Sequence, residues 1–195
     1  MDYLITDFGG VLLRTGNGNF AINGGAMPKK LDAAYLREGE TLHALILTSE
    51  HYHRRHSAAS FAERHDIPLI AALLVSAALR ELTIGGRAPI TFLPPEELEF
   101  AGARLNFHFI GGDSIEPVFL TVEADGSRLG IVPDGKLGPA SVKPLLECDT
   151  VLLGNRLELP KNAPGALARR LRSVSNTEAE LDELFRDYGG KLVCF

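Results

Sequence analysis

Three histidines stand close together in the run Leu47-Thr48-Ser49-Glu50-His51-Tyr52-His53-Arg54-Arg55-His56, directly after an apolar stretch over residues 44–48. Imidazole nitrogens from His51, His53 and His56 are donors of the type that zinc or manganese takes in fixed geometry. The same spacing also describes a histidine-rich loop in water, and both readings stand at this point. Other chemistries lack their parts. Gly-x-Ser-x-Gly is absent, so no Ser-His-Asp set can be argued. Gly111-Gly112-Asp113 has neither the Lys-Ser/Thr nor the following helix of a phosphate loop. His43, beside an apolar strand, and His65, at a helix end, read as structural. His108, alternating with Phe107 and Phe109, reads as a satisfied strand histidine.

The elements that must position these residues are legible from periodicity. Strands are expected over 3–6, 11–14, 20–22, 44–48 and 67–71, where Pro68 argues against an interior sheet position. A meander follows over 90–93, 97–100 and 104–109. Residues 118–123 and 128–132 form a hairpin about Asp125-Gly126, and further strands cover 150–153 and 192–194. Helices are expected over 28–36, 58–64, 75–82, 140–146, 163–172 and 177–188, the last with Thr177 and Glu180 spaced for a capping box. Antiparallel strands come first, and β–α alternation then flanks a central hairpin region. That order suits an α/β fold of two sheets sandwiched between helices better than a doubly wound parallel sheet. With 195 residues, no repeat and no long linker, residues 1–195 read as one domain.

Composition narrows the function classes. A net charge of −5, from 20 Lys+Arg against 25 Asp+Glu, is not built to hold long nucleic acid by bulk charge. Two cysteines, Cys148 and Cys194, make no disulfide framework and read as buried core thiols in a reducing compartment. The start MDYLITDFGG lacks the basic-then-apolar order of a signal peptide, and the apolar stretch 69–79 is too short to span a bilayer. A cytoplasmic protein with no membrane partner is the expectation.

Several segments, taken in order, resemble the metallo-β-lactamase superfamily, and within it the small exonuclease and phosphodiesterase branch. The histidine run resembles its motif Thr-His-x-His-x-Asp-His. Phe20-Ala21-Ile22-Asn23-Gly24-Gly25, followed by Pro28-Lys29-Lys30-Leu31, resembles its strand–Asp–x–Gly element and first helix. Asp113-Ser114-Ile115-Glu116-Pro117-Val118 resembles its His-Asp-Ala-x-x-Pro-Val segment, and Gly130-Ile131-Val132-Pro133-Asp134-Gly135 its strand ending in Thr-Asp. Arg169-Arg170-Leu171 and Ser173-Val174-Ser175-Asn176 resemble Arg-Arg-Ile…His-Leu-Ser-Asn. The resemblance implies a metallo-β-lactamase-like αββα sandwich, here shortened at its C-terminus. It also implies hydrolysis by a water bridging two metal ions.

Matched without gaps, the motifs put Ser49, His51, His53 and Arg54 at the His, His, Asp and His of the first motif. Gly112 falls at the histidine before Asp113, Asp134 at the bridging aspartate and Ser173 at the last histidine. His51, His53, Arg54, His56, Asp113 and Asp134 are therefore read as a vestigial or altered site, with His51 and Asp134 its metal candidates. Arg54 goes further than a missing ligand, because a guanidinium has no lone pair to give and repels the ion. A carboxylate left in a cleft without metal needs a partner or must take up a proton. Arg54, or failing that Arg55, is expected within salt-bridge reach of Asp134, with Arg156 adding to the cluster. Two functions stand side by side. One is a non-catalytic binding or assembly module without cofactor, taking a small anion or phosphate and forming a homo-oligomer through an exposed sheet edge. The other is a metal-dependent hydrolase, phosphodiesterase- or nuclease-like, that uses zinc or manganese in an altered His/Asp site.

Overall fold

Short runs of apolar and β-branched residues, punctuated by Gly, Asn and Asp turns, build two six-stranded sheets. The structure, a computed structural model, describes residues 1–6, 9–23, 36–52, 55–78 and 89–195, and only the backbone of residues 52, 55–57 and 59. The first sheet holds β1 (Asp2–Ile5), β2 (Val11–Arg14), β3 (Asn19–Ile22), β4 (Ala44–Leu47), β5 (Leu69–Ala72) and β6 (Ile90–Phe92) in that spatial order. Its first three strands are antiparallel and β3 to β6 run parallel. The second sheet holds β7 (Glu96–Phe100), β8 (Ala103–Phe109), β9 (Val118–Ala124), β10 (Ser127–Val132), β11 (Thr150–Leu153) and β12 (Lys191–Cys194), ordered from β12 to β7. There β7 to β10 are antiparallel and β10 to β12 parallel. The described helices are α1 (Arg55–Arg64), α2 (Leu73–Ala78), α3 (Lys143–Leu146), α4 (Gly165–Val174) and α5 (Glu178–Leu184).

Side-chain alternation divides the second sheet between two cores. Leu105, Phe107, Leu120, Val122 and Ile131 point between the sheets, where they meet Phe20, Ile46 and Ile70 of the first. Phe92 and Phe107 stack there with ring centroids 3.7 Å apart. Phe119, Val132, Val151 and Leu153 point the other way, under Leu145 of α3 and Leu181 of α5. Every residue of β4 and β5 is buried, as parallel strands covered on both faces require.

Several expectations are corrected. β5 is an interior strand despite Pro68. It begins at Leu69, so the missing N–H falls outside the ladder, and the Pro68 carbonyl accepts from Leu45 N–H at 3.0 Å. The helix expected over 140–146 is confined to Lys143–Leu146, with Pro144 in its first turn. Cys194 is exposed rather than buried, because it lies on the edge strand β12; only Cys148 is in the core, where burial pushes its thiol up to about 12. The helix expected over 75–82 begins earlier, at Leu73. Its residues beyond 78, and the helix expected over 28–36 up to residue 35, lie outside the described residues. The capping box forms: the Thr177 hydroxyl accepts from Glu180 N–H and the Glu180 carboxylate from Thr177 N–H. Among the described residues no helix is long and apolar enough to cross a membrane.

Two asparagine clamps hold the strand ends that carry the site. Asn23 leaves β3 at φ 52°, and its amide bonds the Thr48 hydroxyl at 2.6 Å and accepts from Thr48 N–H at 2.9 Å. Asn176, between α4 and α5, accepts from Leu137 N–H at 2.7 Å, donates to the Leu137 carbonyl at 3.0 Å and accepts from the Asn155 amide at 3.0 Å. All of these atoms are buried. Replacing Asn176 by Ala leaves several polar groups without partners, at about 1–3 kcal/mol each. The expected outcome is a loss of about 2–4 kcal/mol in urea unfolding; a shift below about 1 kcal/mol would show that the clamp is not structural.

Candidate functional site

Loops at one end of the sandwich converge because backbone bonds stitch them together. The end of β4 meets the start of β9, where Val118 N–H donates to the Thr48 carbonyl at 3.0 Å. The segment after β8 is tied to the segment after β10 by Lys136 N–H donating to the Gly111 carbonyl at 2.6 Å. Gly135 permits that approach: its φ is +93°, and a Cβ there would come within 2.8 Å of Gly111 O. Glu116, buried, accepts from Leu74 N–H at 2.8 Å and so pins the far end of the 110–117 loop to the start of α2. These constraints leave a cleft of about 270 Å³ whose lining includes His51, Gly112, Asp113, Asp134, Asn155 and Arg170. A larger cavity of about 650 Å³ shares none of its lining. Arg104 and Arg128 there are taken by Glu97, Glu99, Glu123 and Glu147, which makes that surface a charged ladder on the sheet.

Charge in the cleft is arranged around His51. Its Nδ1 lies 3.6 Å from Asp113 Oδ1 and its Nε2 lies 3.5 Å from Glu50 Oε1. Asp113 is also held by Arg170 Nε. Glu50 accepts from the Ser114 hydroxyl and from Ile115 N–H. Burial pushes the Asp113 and Glu50 carboxyls up, but these donors outweigh it and hold both below the usual range. Asp134 is the exception. Its Oδ2 has one long contact, 3.5 Å from the Ser49 hydroxyl, and its Oδ1 is buried without a partner among the described residues. Burial, with Asp113 and Glu50 adding to it against His51 and Ser49, pushes this carboxyl up to about 6.

The structure brings together His51, Asp113 and Asp134 of the residues singled out in the sequence. His53 and Arg54 lie outside the described residues, as do the side chains of Arg55 and His56, and with them the expected Arg54 or Arg55 contact to Asp134. Arg156 does not join the cluster: its guanidinium pairs with Glu178 at 3.3 Å. Ser173 donates to the Arg170 carbonyl and does not line the cleft. His108 bonds the Thr121 hydroxyl and stacks on Phe119, and His43 accepts from Asn19 N–H, both as structural histidines. Among the described residues no three His, Cys, Asp or Glu side chains converge as a metal site. Sequence reasoning missed Arg170 and Glu50. The signals were there, an arginine pair ahead of Ser173 and an acid beside His51, but neither has ligand spacing.

No family model matches the sequence, and no curated protein does. Solved structures do match in fold. The metallo-beta-lactamase fold protein YhfI from Bacillus subtilis superposes with a TM-score of 0.68 at 16% identity, over 95% of this chain and 76% of that one. A diphosphatase of the PhnP family gives 0.66 at 14% identity, over 95% and 70%. The short form of human tRNase Z gives 0.66 at 13% identity, over 95% and 84%. At these identities the likeness is one of fold.

Asp134 gives a pH signature. Its carboxyl rises from 3.8 to about 6 on folding, so the folded state suffers no penalty below about pH 4. Stability is lost as pH climbs through that window, by up to about 3 kcal/mol. Asp134→Asn removes the penalty. In metal-free protein the variant should match the natural chain near pH 4 and exceed it by about 2–3 kcal/mol at pH 7 in urea unfolding. A pH-independent difference between the two would refute the assignment.

Proposed function

We propose that this chain, which has the metallo-β-lactamase fold, works as a binding module rather than as a dinuclear metal hydrolase. The observation that carries this reading is the environment of His51. A metal-bound imidazole gives one nitrogen to the ion and the other to an outer partner. Here both ring nitrogens face carboxylates, Asp113 and Glu50, so whichever one carries the lone pair is turned to a carboxylate other than Asp134. Asp113 is in turn engaged by Arg170. Serine at 49, glycine at 112 and serine at 173 supply no imidazole where the resembling motifs have one. The described donors therefore do not fit a metal pair, and no hydrolytic step is derived through one.

The ligand this cleft suits is small and presents positive charge or hydrogen-bond donors. Among the described residues Asp113, Asp134 and nearby Glu50 outnumber Arg170 and His51, and Asp134 has an oxygen to spare. That balance weighs against the small anion or phosphate expected from the sequence, because carboxylates would repel it.

A second reading rests on the same free oxygen. Carboxylates close enough for Asp113 and Glu50 to push Asp134 up also attract a divalent cation, and an altered mononuclear site with His53 or His56 would make the chain a hydrolase. Metal content separates the two. Protein purified without chelator or histidine tag, then titrated with zinc and manganese, should hold well under one equivalent per chain, with His51→Ala and Asp134→Ala no different. Near-stoichiometric metal that both substitutions abolish would sink the binding-module reading and call for phosphodiester assays.

A further inference from the structure

Helix α4 forms one wall of the cleft through Arg170, Leu171 and Val174, yet none of its ten residues is buried. Its neighbour α5, three residues shorter, buries Leu181 in the outer core. The cores of the domain therefore do not depend on α4. Among the described residues its polar attachments are few, Arg170 Nε to Asp113 and Lys136 Nζ to the Arg172 carbonyl at 3.3 Å, and its apolar Ala168, Leu171 and Val174 are only partly buried. The chain leading into it, residues 156–164, is exposed except for the partly buried Leu157 and Ala163, and carries Pro160 and Pro164. The chain leaving it is different. Ser175 is extended, and Asn176 is fixed in the buried clamp with Leu137 and Asn155. One end is thus anchored and the other loosely tethered, which is the anatomy of a hinged element.

We infer that α4 is a lid over the cleft, hinged at Ser175-Asn176 and latched by the Arg170–Asp113 ion pair. This rests on the cleft being the ligand site. The floor that the lid covers is the Asp134 carboxylate, with the wholly buried Ser49 hydroxyl 3.5 Å behind it. The latch is set to be weak. Arg170 is 59% and Asp113 34% exposed, and ion pairs in water contribute little and are screened by salt. A ligand donor that takes Asp113 from Arg170 releases the helix. The same carboxylate holds His51, so opening also loosens the charge arrangement around it.

Hydrogen exchange on the full chain reads the lid directly. In the natural protein, amides of 165–174 should exchange faster than those of 178–184. Asp113→Asn and Arg170→Gln should each speed exchange of 165–174 by about two- to fivefold, leaving α5 and the central strands unchanged. High salt should do the same to the natural protein and nothing further to the variants. A thiol placed by Ser49→Cys reports the cleft itself, with exposed Cys194 as the reference. Its alkylation should accelerate on adding Asp113→Asn by the same factor as α4 exchange. The inference is overturned if 165–174 is as protected as α5 and indifferent to substitution and salt. Loosening that spreads through the chain, or a Ser49→Cys rate blind to the latch, overturns it equally. If the variants do not fold, the salt series on the natural chain decides alone. A tightly bound metal would end the binding-module reading without altering the exchange result.

Discussion

A carboxylate set just beyond the end of a buried strand must be met by a cation, by hydrogen-bond donors or by a proton. Asp134, two residues past β10, is where that constraint acts in this chain. One oxygen has a long contact with Ser49 and the other has no described partner, so the proton is held to about pH 6. Much of the cleft can be read as the consequence. Among the described residues lining the cleft, His51 and Arg170 are both engaged by Asp113, and His51 by Glu50 as well, while Asp134 keeps an oxygen without a partner.

The scaffold around that group is rigid where it must be and loose where it need not be. Buried asparagines cross-link the strand ends, each amide accepting from a backbone N–H while its own N–H donates to a hydroxyl (Asn23) or a carbonyl (Asn176), and removing either would strand polar atoms in the core. Asn23 stands where the resembling motif has an aspartate, and it turns that position into a clamp on Thr48. Asn176 closes the Asp134–Leu137 turn against the segment after β11. Among the described residues helix α4 has no such anchoring along its length. The difference separates a floor with fixed geometry from a wall held mainly by exposed charge.

Fold and function part company at this site. A sandwich with this strand order hosts hydrolases, among them the diphosphatase and tRNase Z that superpose on it, but the fold alone does not supply the ligands. What the cleft can do is set by a few side chains, and the described ones pair as charges and do not converge as metal donors.

Much of the architecture could be read without coordinates, because period-two alternation, Asp125-Gly126 and the Thr177/Glu180 spacing are local signals acting within a few residues. Most strand positions follow from them to within a residue or two, and so does the two-sheet arrangement. Local signals fail where a partner is distant. Pro68 reads as an edge residue until β5 is seen to begin just after it; Cys194 reads as core until β12 is seen to be an edge. The sequence by itself determined the sandwich and named His51, Asp113 and Asp134, since residue type and motif order carry that much. Only the tertiary structure decided their electrostatics. Arg170 lies 57 residues from Asp113, and Ser49 lies 85 from Asp134. No rule of spacing predicts which of several arginines will reach across such a distance.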